Sequence, residues 1–311
     1  MFPNNSHFNN QSVTFWTDIA FRYICLCGLT ISIAGIVLNF LSYNTASYIG
    51  KENSSITFIR LLAIWDTISI IEDGIVNLGG KYIGFDMRLT STIACKALFW
   101  NSWASSITAN YHVVGLSLDR LIAIKFPIWY RTQGKPSLAY KCSVFIAIAV
   151  YIICLPNLNF FDITYGKCVL TGNPIILYWY LRITLFIIFS GFPFAVILLI
   201  NLYFVHYLKE FKSRKVNKTS ASDIQEQRLL IMLTTISISF MFFTFTCGVL
   251  LVMYFQLKTD TEEQKSLASL LEVSAEIFGI LNSSLNFIFF FMSGRMYRDS
   301  FKEMISKKFI S

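Results

Sequence analysis

The sequence predicts an all-α membrane protein: a seven-transmembrane helix bundle followed by a short amphipathic C-terminal helix. Three observations carry that expectation. The 311 residues are 55% hydrophobic and only 14% charged, with a mean hydropathy of +0.56, whereas a soluble domain carries about 25% charged residues. Seven apolar runs recur along the chain, and about 20 residues at 1.5 Å each are enough to cross the hydrocarbon core. Most of the basic residues behind the net charge of +8 fall on one side of a seven-span threading. That distribution argues for topology and headgroup attraction and against nucleic-acid binding.

Met1 to Thr17 reads as a polar outer tail without the basic-then-apolar pattern of a cleavable leader. Residues 1–20 are assigned to that tail, 21–292 to the bundle and 293–311 to an amphipathic helix with a short cytoplasmic tail. Asn4 and Asn10 each open an Asn-x-Ser triplet, so both are candidate glycosylation sites on the outer face.

The spans are Phe21–Tyr48, Ile56–Leu78, Ala97–Ile124, Lys141–Leu155, Ile175–Tyr207, Leu229–Phe255 and Leu267–Met292. Backbone polar groups in lipid must be satisfied within the segment, which makes these helices. The fourth is the shortest and the weakest. Lys51, Arg60, Lys125, Arg131 and Lys135 lie by the first two inner connections. Lys209 to Arg228 line the third, and Arg295 to Lys308 follow the last span. The positive side is cytoplasmic, so the chain is a multi-pass protein with its amino end outside. Phe301, Met304 and Ile305 recur at helical spacing among basic residues, as on a helix lying along the inner membrane surface.

Polar residues inside the spans require a functional account. Asp66 stands mid-span in the second helix, Asn39 in the first, and Asn282, Ser283 and Asn286 in the seventh. An unpaired carboxylate in lipid is costly, so Asp66 faces inward. It is either a neutral carboxyl bonded to Asn39 and Asn286 or part of a hydrated cluster that holds a cation, a sodium ion being the candidate. No other cofactor is expected, and no metal-ligand spacing appears. Cys95 and Cys168 sit near the outer mouth, where oxidising conditions allow them to pair and pin the second outer loop to the third helix. The third span runs from that cysteine to Asp119-Arg120 at the other face. Two differently used faces suggest a signalling receptor and not a symmetric pore.

Gly35 with Asn39, Leu62-Ala63 with Asp66, Cys95, Asp119-Arg120-Leu121, Pro127, Cys168, Pro193, Phe240 and Asn282-Ser283-Ser284-Leu285-Asn286 occur in order and at matching spacing. On these residues the chain resembles rhodopsin-like (class A) G protein-coupled receptors. Within that class it most resembles invertebrate FMRFamide-type neuropeptide receptors, through Asn286-Phe287 and the stretch Arg228 to Leu233.

The resemblance implies an extracellular peptide ligand, a heterotrimeric G protein and membrane lipids as partners, a plasma-membrane location, and no enzyme activity. It implies that Asp119, assisted by Glu226 of the sixth helix, holds Arg120 in the resting state, and that Asn286 belongs to the switch. Arg120 as a plain headgroup anchor, and Glu226 as a solvated helix-start charge, stay open.

The chain departs from the pattern at Phe290, where relatives carry Tyr, and at Thr244 and Thr246, where they carry Trp and Pro. A divergent, non-signalling or constitutively active receptor is therefore the alternative. A transporter or channel is less favoured, because no repeat is visible and Asp66 is essentially the only midplane charge. Ser102 replaces the acid that amine receptors use, which argues against a monoamine.

The candidate ligand pocket is Glu72, Asp73, Ser102, Trp103, Arg182, Glu272 and Glu276, with aromatics Tyr178, Trp179, Tyr180 and Phe278 nearby. Carboxylates take a guanidinium bidentately, which suits a peptide ending in Arg-Phe-amide. The opposing expectation is that Glu272 and Glu276 pair with Lys96 or Arg182 and only hold helices together.

Overall fold

The structure is a computed structural model. It describes residues 5–49, 54–214, 221–257 and 261–310. Helix α1 spans Asn5–Tyr48, so the segment read as a tail continues the first helix. Helix α2 runs from Ser54 to Ile83, as α-helix to Ile70, π-helix over Ile71–Gly79 and a final turn Gly80–Ile83. Helix α3 spans Thr92–Lys125 and α4 spans Pro136–Ile153. A hairpin follows, with β1 (Phe161–Thr164) antiparallel to β2 (Lys167–Leu170). Helix α5 covers Pro174–Arg214 and is π-helical over Arg182–Gly191. Helix α6 spans Ala221–Gln256, α7 Glu262–Ser293 with a break at Leu285, and α8 Arg295–Ile310.

Local chemistry sets several of these ends. The Ser91 hydroxyl accepts from the Ala94 amide at 3.1 Å and caps α3. Thr261 and Gln264 exchange reciprocal bonds in a capping box that starts α7. Pro136 opens α4, where its missing amide hydrogen costs nothing. A Cβ on Gly35 would collide with Ser284 of α7, and one on Gly74 with Ser32 of α1. Those two glycines let α1 lie close against α2 and α7.

Over the described residues, six of the seven bundle helices are long and apolar enough to cross a membrane, the two halves of α7 forming one bent span. The fourth, expected to be the weak one, is among the clearest, because Pro136–Phe160, helical to Ile153 and again from Asn157, has high hydropathy. The exception is α3. Its centre carries buried Ser105, Thr108, Asn110, His112 and Ser117, which lower its hydropathy. A helix packed between others can be polar because it does not meet lipid. His112 shows how such groups are satisfied: its ring nitrogens lie 2.7 Å from the Thr108 carbonyl oxygen and 2.7 Å from Ser143 Oγ on α4.

The largest apolar core lies in the half of the bundle nearer Arg120, termed inner after the positive-side expectation, where Phe58, Leu62, Val113, Leu116, Ile236, Phe240 and Phe290 pack together. Outward-facing Phe145, Ile148, Leu199 and Phe242 are exposed, as lipid-facing side chains are. Helix α8 docks through Tyr297, whose hydroxyl lies 3.1 Å from the Ser42 carbonyl oxygen, and through Phe301, 5.4 Å from the Phe287 ring. Arg298 donates to the Phe291 carbonyl at 3.0 Å, satisfying an acceptor left open at the end of α7.

Candidate functional site

At the inner face the carboxylate of Asp119 is buried. It accepts from the Ser54 and Ser55 hydroxyls at the start of α2 and from the Tyr130 hydroxyl at 2.9 Å. Tyr130 belongs to a short helix, Pro127–Gln133, in the connection after α3. Arg120 lies 3.4 Å from Asp119 Oδ2 and donates to the Tyr130 hydroxyl at 3.3 Å. Asp119 therefore ties together α2, α3 and the connecting helix while holding the guanidinium beside it. Ser54, Ser55 and Tyr130 were missed in the sequence, since their spacing from Asp119 carries no periodic signal. The side chain of Glu226 lies outside the described residues, as do Asn4 and the side chains of Asn10 and Arg182.

Midway through the bundle, Asp66 accepts from Asn286 Nδ2 at 2.7 Å. Asn39 does not reach Asp66 as one expectation had it. Its amide donates to the Ser283 carbonyl oxygen at 3.1 Å, because α1 approaches the backbone of α7 at this level. Asn39 Oδ1 is buried without a hydrogen-bond partner. Asn282 donates across to Asn110 of α3 at 3.4 Å. Among the described residues no group of three or more His, Cys, Asp or Glu is arranged to hold a metal ion.

At the outer face a cavity of about 710 Å³ opens between α2, α3, α6, α7 and the hairpin. A disulfide joins Cys95 to Cys168, with Cα atoms 5.7 Å apart, and it sets the hairpin over this cavity. Phe161 of β1 stacks on Phe99 of α3 with ring centroids 3.9 Å apart. Asp73, Ser102, Trp103, Glu272 and Glu276 all line the cavity.

Glu72 does not line the cavity. Adjacent positions on a helix face different ways, and its carboxylate instead accepts from Asn101 at 2.7 Å, which in turn accepts from Tyr151. Trp179 and Tyr178 project outward and are exposed, Tyr180 binds Asn157, and Phe278 packs on Phe242 and Phe243. Of the aromatics expected at the pocket, Trp103 is the one that lines it.

Among the described side chains, the partner of the seventh-helix acids is not Lys96; that of Arg182, the other partner expected, is not among them. Lys81, on the last turn of α2, lies 3.2 Å from Glu272 and 3.1 Å from Glu276. Lys96 faces Asp162 of β1 at 3.9 Å instead. Lys81 escaped the sequence reading because the π-helical stretch before it shifts the outer end of α2 out of the regular α-helical register. Asp73 accepts from Ser106 at 3.1 Å, from Ser69 at 3.4 Å, and from Ser102.

On the connection between α2 and α3, Arg88 grips Asp86 at 2.7–3.1 Å through two nitrogens, and its guanidinium lies 4.8 Å from the Phe99 ring centroid. Burial pushes the Asp86 carboxyl up, but the bonds and charge of Arg88 outweigh it and hold the carboxyl below its usual range.

One helix, α3, thus lines the ligand-sized cavity at its outer end and carries Asp119 and Arg120 at its inner end. The family model for the 7 transmembrane receptor (rhodopsin family) matches residues 41–289, well over half of the chain. No curated protein matches it.

Proposed function

The chain belongs to the rhodopsin family of seven-transmembrane receptors, and on that footing we propose that it is a neuropeptide receptor of the Arg-Phe-amide kind that activates a heterotrimeric G protein. Family membership makes it a multi-pass membrane protein. In this reading it sits in the plasma membrane, with its amino end outside and its carboxyl end in the cytosol. The partners are an extracellular peptide, the G protein and membrane lipids; nucleic acid is not one of them. The protein is a transducer and not an enzyme. It needs no resident cofactor beyond a sodium ion near Asp66, whose buried carboxylate offers it an oxygen ligand.

The observation that carries the proposal is the placement of both sites on α3. Ser102 lines the cavity and Arg120 stands at the inner end, about 27 Å apart along the helix. Ligand in the cavity contacts α2, α3, α6 and α7 together and favours one arrangement of them. Rearrangement at the inner end takes Arg120 away from Asp119 and Tyr130 and frees it for the G protein. The coupling is reciprocal, so bound G protein tightens peptide binding by the factor by which peptide tightens G protein binding.

Membranes from expressing cells, screened with an amidated neuropeptide library for stimulated nucleotide exchange, test this reading. Stimulation by a peptide supports it. Exchange that is high and unresponsive to every peptide favours the constitutively active alternative, and exchange absent throughout favours the non-signalling one.

A further inference from the structure

The cavity has an imbalance of charge that its own residues do not correct. Four acids line it: Asp73, Asp86, Glu272 and Glu276. Arg88 is committed to Asp86. Lys81 is shared by Glu272 and Glu276, so one cation serves two carboxylates. The remaining lining cation, Lys265, is paired at 2.8 Å with Glu262 at the exposed rim. Asp73 has no ion pair among the described residues. Its hydrogen bonds come from three neutral hydroxyls, those of Ser69, Ser102 and Ser106. A carboxylate offers about four lone-pair sites, and a charge removed from bulk water is strongly stabilised by an opposite one.

A second observation is independent of that charge. Thr244 lines the same cavity, is 3% exposed, and its hydroxyl has no hydrogen-bond partner. Asn77 Oδ1, also on the lining, is likewise buried and unpartnered. Buried polar atoms are nearly always satisfied, so these two call for a polar guest. The guest cannot bring a free carboxylate cheaply. Every described lining cation is already paired, and a further anion would enter a cavity that carries excess negative charge.

We propose that Asp73 is the seat of the ligand's cationic group, and that the ligand class is a cation capped by neutral hydrogen-bonding groups, without a free carboxylate. This rests on the receptor reading above and narrows it. The specificity-determining acid is Asp73 on α2, while Glu272 and Glu276 serve chiefly to hold Lys81. Thr244 and Asn77 offer bonds to a carboxamide or similar neutral end.

The test is a thermal-shift and binding measurement on the purified full-length receptor in lipid nanodiscs, with no G protein present. Three N-acetylated dipeptide probes are compared, so that the guanidinium is the sole cation: Arg-Phe-amide, citrulline-Phe-amide and Arg-Phe with a free carboxylate. Arg-Phe-amide is expected to raise the melting temperature and to bind about tenfold or more tightly than either other probe. Asp73→Asn is expected to remove that preference. Equal shifts from the arginine and citrulline amides, or no shift from Arg-Phe-amide, overturn the assignment even if the Asn variant does not fold. A preference for the free carboxylate overturns the charge argument directly. Because the readout needs no coupling, a receptor that binds as expected yet never stimulates exchange would refute the signalling reading and leave this one standing.

Discussion

Asp119 and Tyr130 show how a single residue acts through what it touches. The carboxylate of Asp119 has acceptor contacts on both oxygens and a guanidinium beside it. Asp119→Asn removes the charge that retains Arg120. Conformational couplings of this kind are worth about 1–3 kcal/mol, so basal nucleotide exchange is expected to rise about fivefold or more. Tyr130→Phe deletes one hydroxyl, worth about 0.5–1.5 kcal/mol, and is expected to raise basal exchange by about two- to tenfold. Guanine-nucleotide binding to membranes measures both, and unchanged basal rates in both variants would mean that the inner network does not restrain activation.

At the rim, Asp86 has its carboxyl held low by Arg88. A depressed carboxyl contributes stability above its unfolded value and loses it as pH falls through its folded value. The Asp86–Arg88 contribution should therefore persist at pH 5 and disappear only below the ordinary value of 3.8. Comparing the pH dependence of melting for the native chain and Asp86→Asn checks this, and a difference already lost at pH 6 would contradict it. Residue-scale chemistry was legible in the sequence where a charge stood inside an apolar run, as at Asp66 and Arg120. It was not legible where the partner came from another element, as with Lys81 for Glu276 or Ser54 for Asp119, because cross-element contacts leave no periodic trace.

Among the elements, α7 bends by 40° at its break around Leu285 with no proline there. Phe287 follows that break. It is buried, and its ring lies 5.9 Å from Phe291, 5.9 Å from Tyr297 and 5.4 Å from Phe301. The ring thus binds the end of α7 to α8 by packing. Phe287→Ala is expected to cost about 3–5 kcal/mol of stability, as large core truncations do, with a matching fall in melting temperature. A change below about 1 kcal/mol would show that α8 is held by other contacts.

The hairpin is a second element the sequence did not announce. Its four-residue strands are too short to show alternation, and it is held in place by the Cys95–Cys168 bridge and the Phe99–Phe161 stack. Replacing both cysteines by serine is expected to lower stability by about 2–4 kcal/mol. The α-helical spans themselves were legible, because apolar length is a strong signal. The polar centre of α3 was not legible, since Ala97–Ile124 reads as one more apolar run. The π-helical segments of α2 and α5 have no sequence signature comparable to proline or glycine.

Across the whole molecule, one buried, polar helix joins an anion-rich outer cavity to an inner guanidinium. Family membership fixes the architecture and the existence of both ends. The chemistry of the outer end follows from where α2 places Asp73 and Lys81. The most direct test is peptide-stimulated nucleotide exchange in membranes carrying the native receptor, Asp73→Asn or Arg120→Ala, across a library of basic amidated peptides. The account predicts that at least one peptide stimulates the native receptor, that Asp73→Asn loses potency with the maximal response retained at high peptide, and that Arg120→Ala binds peptide without stimulating exchange. Full stimulation retained in Arg120→Ala, or no peptide acting on the native receptor, would contradict it.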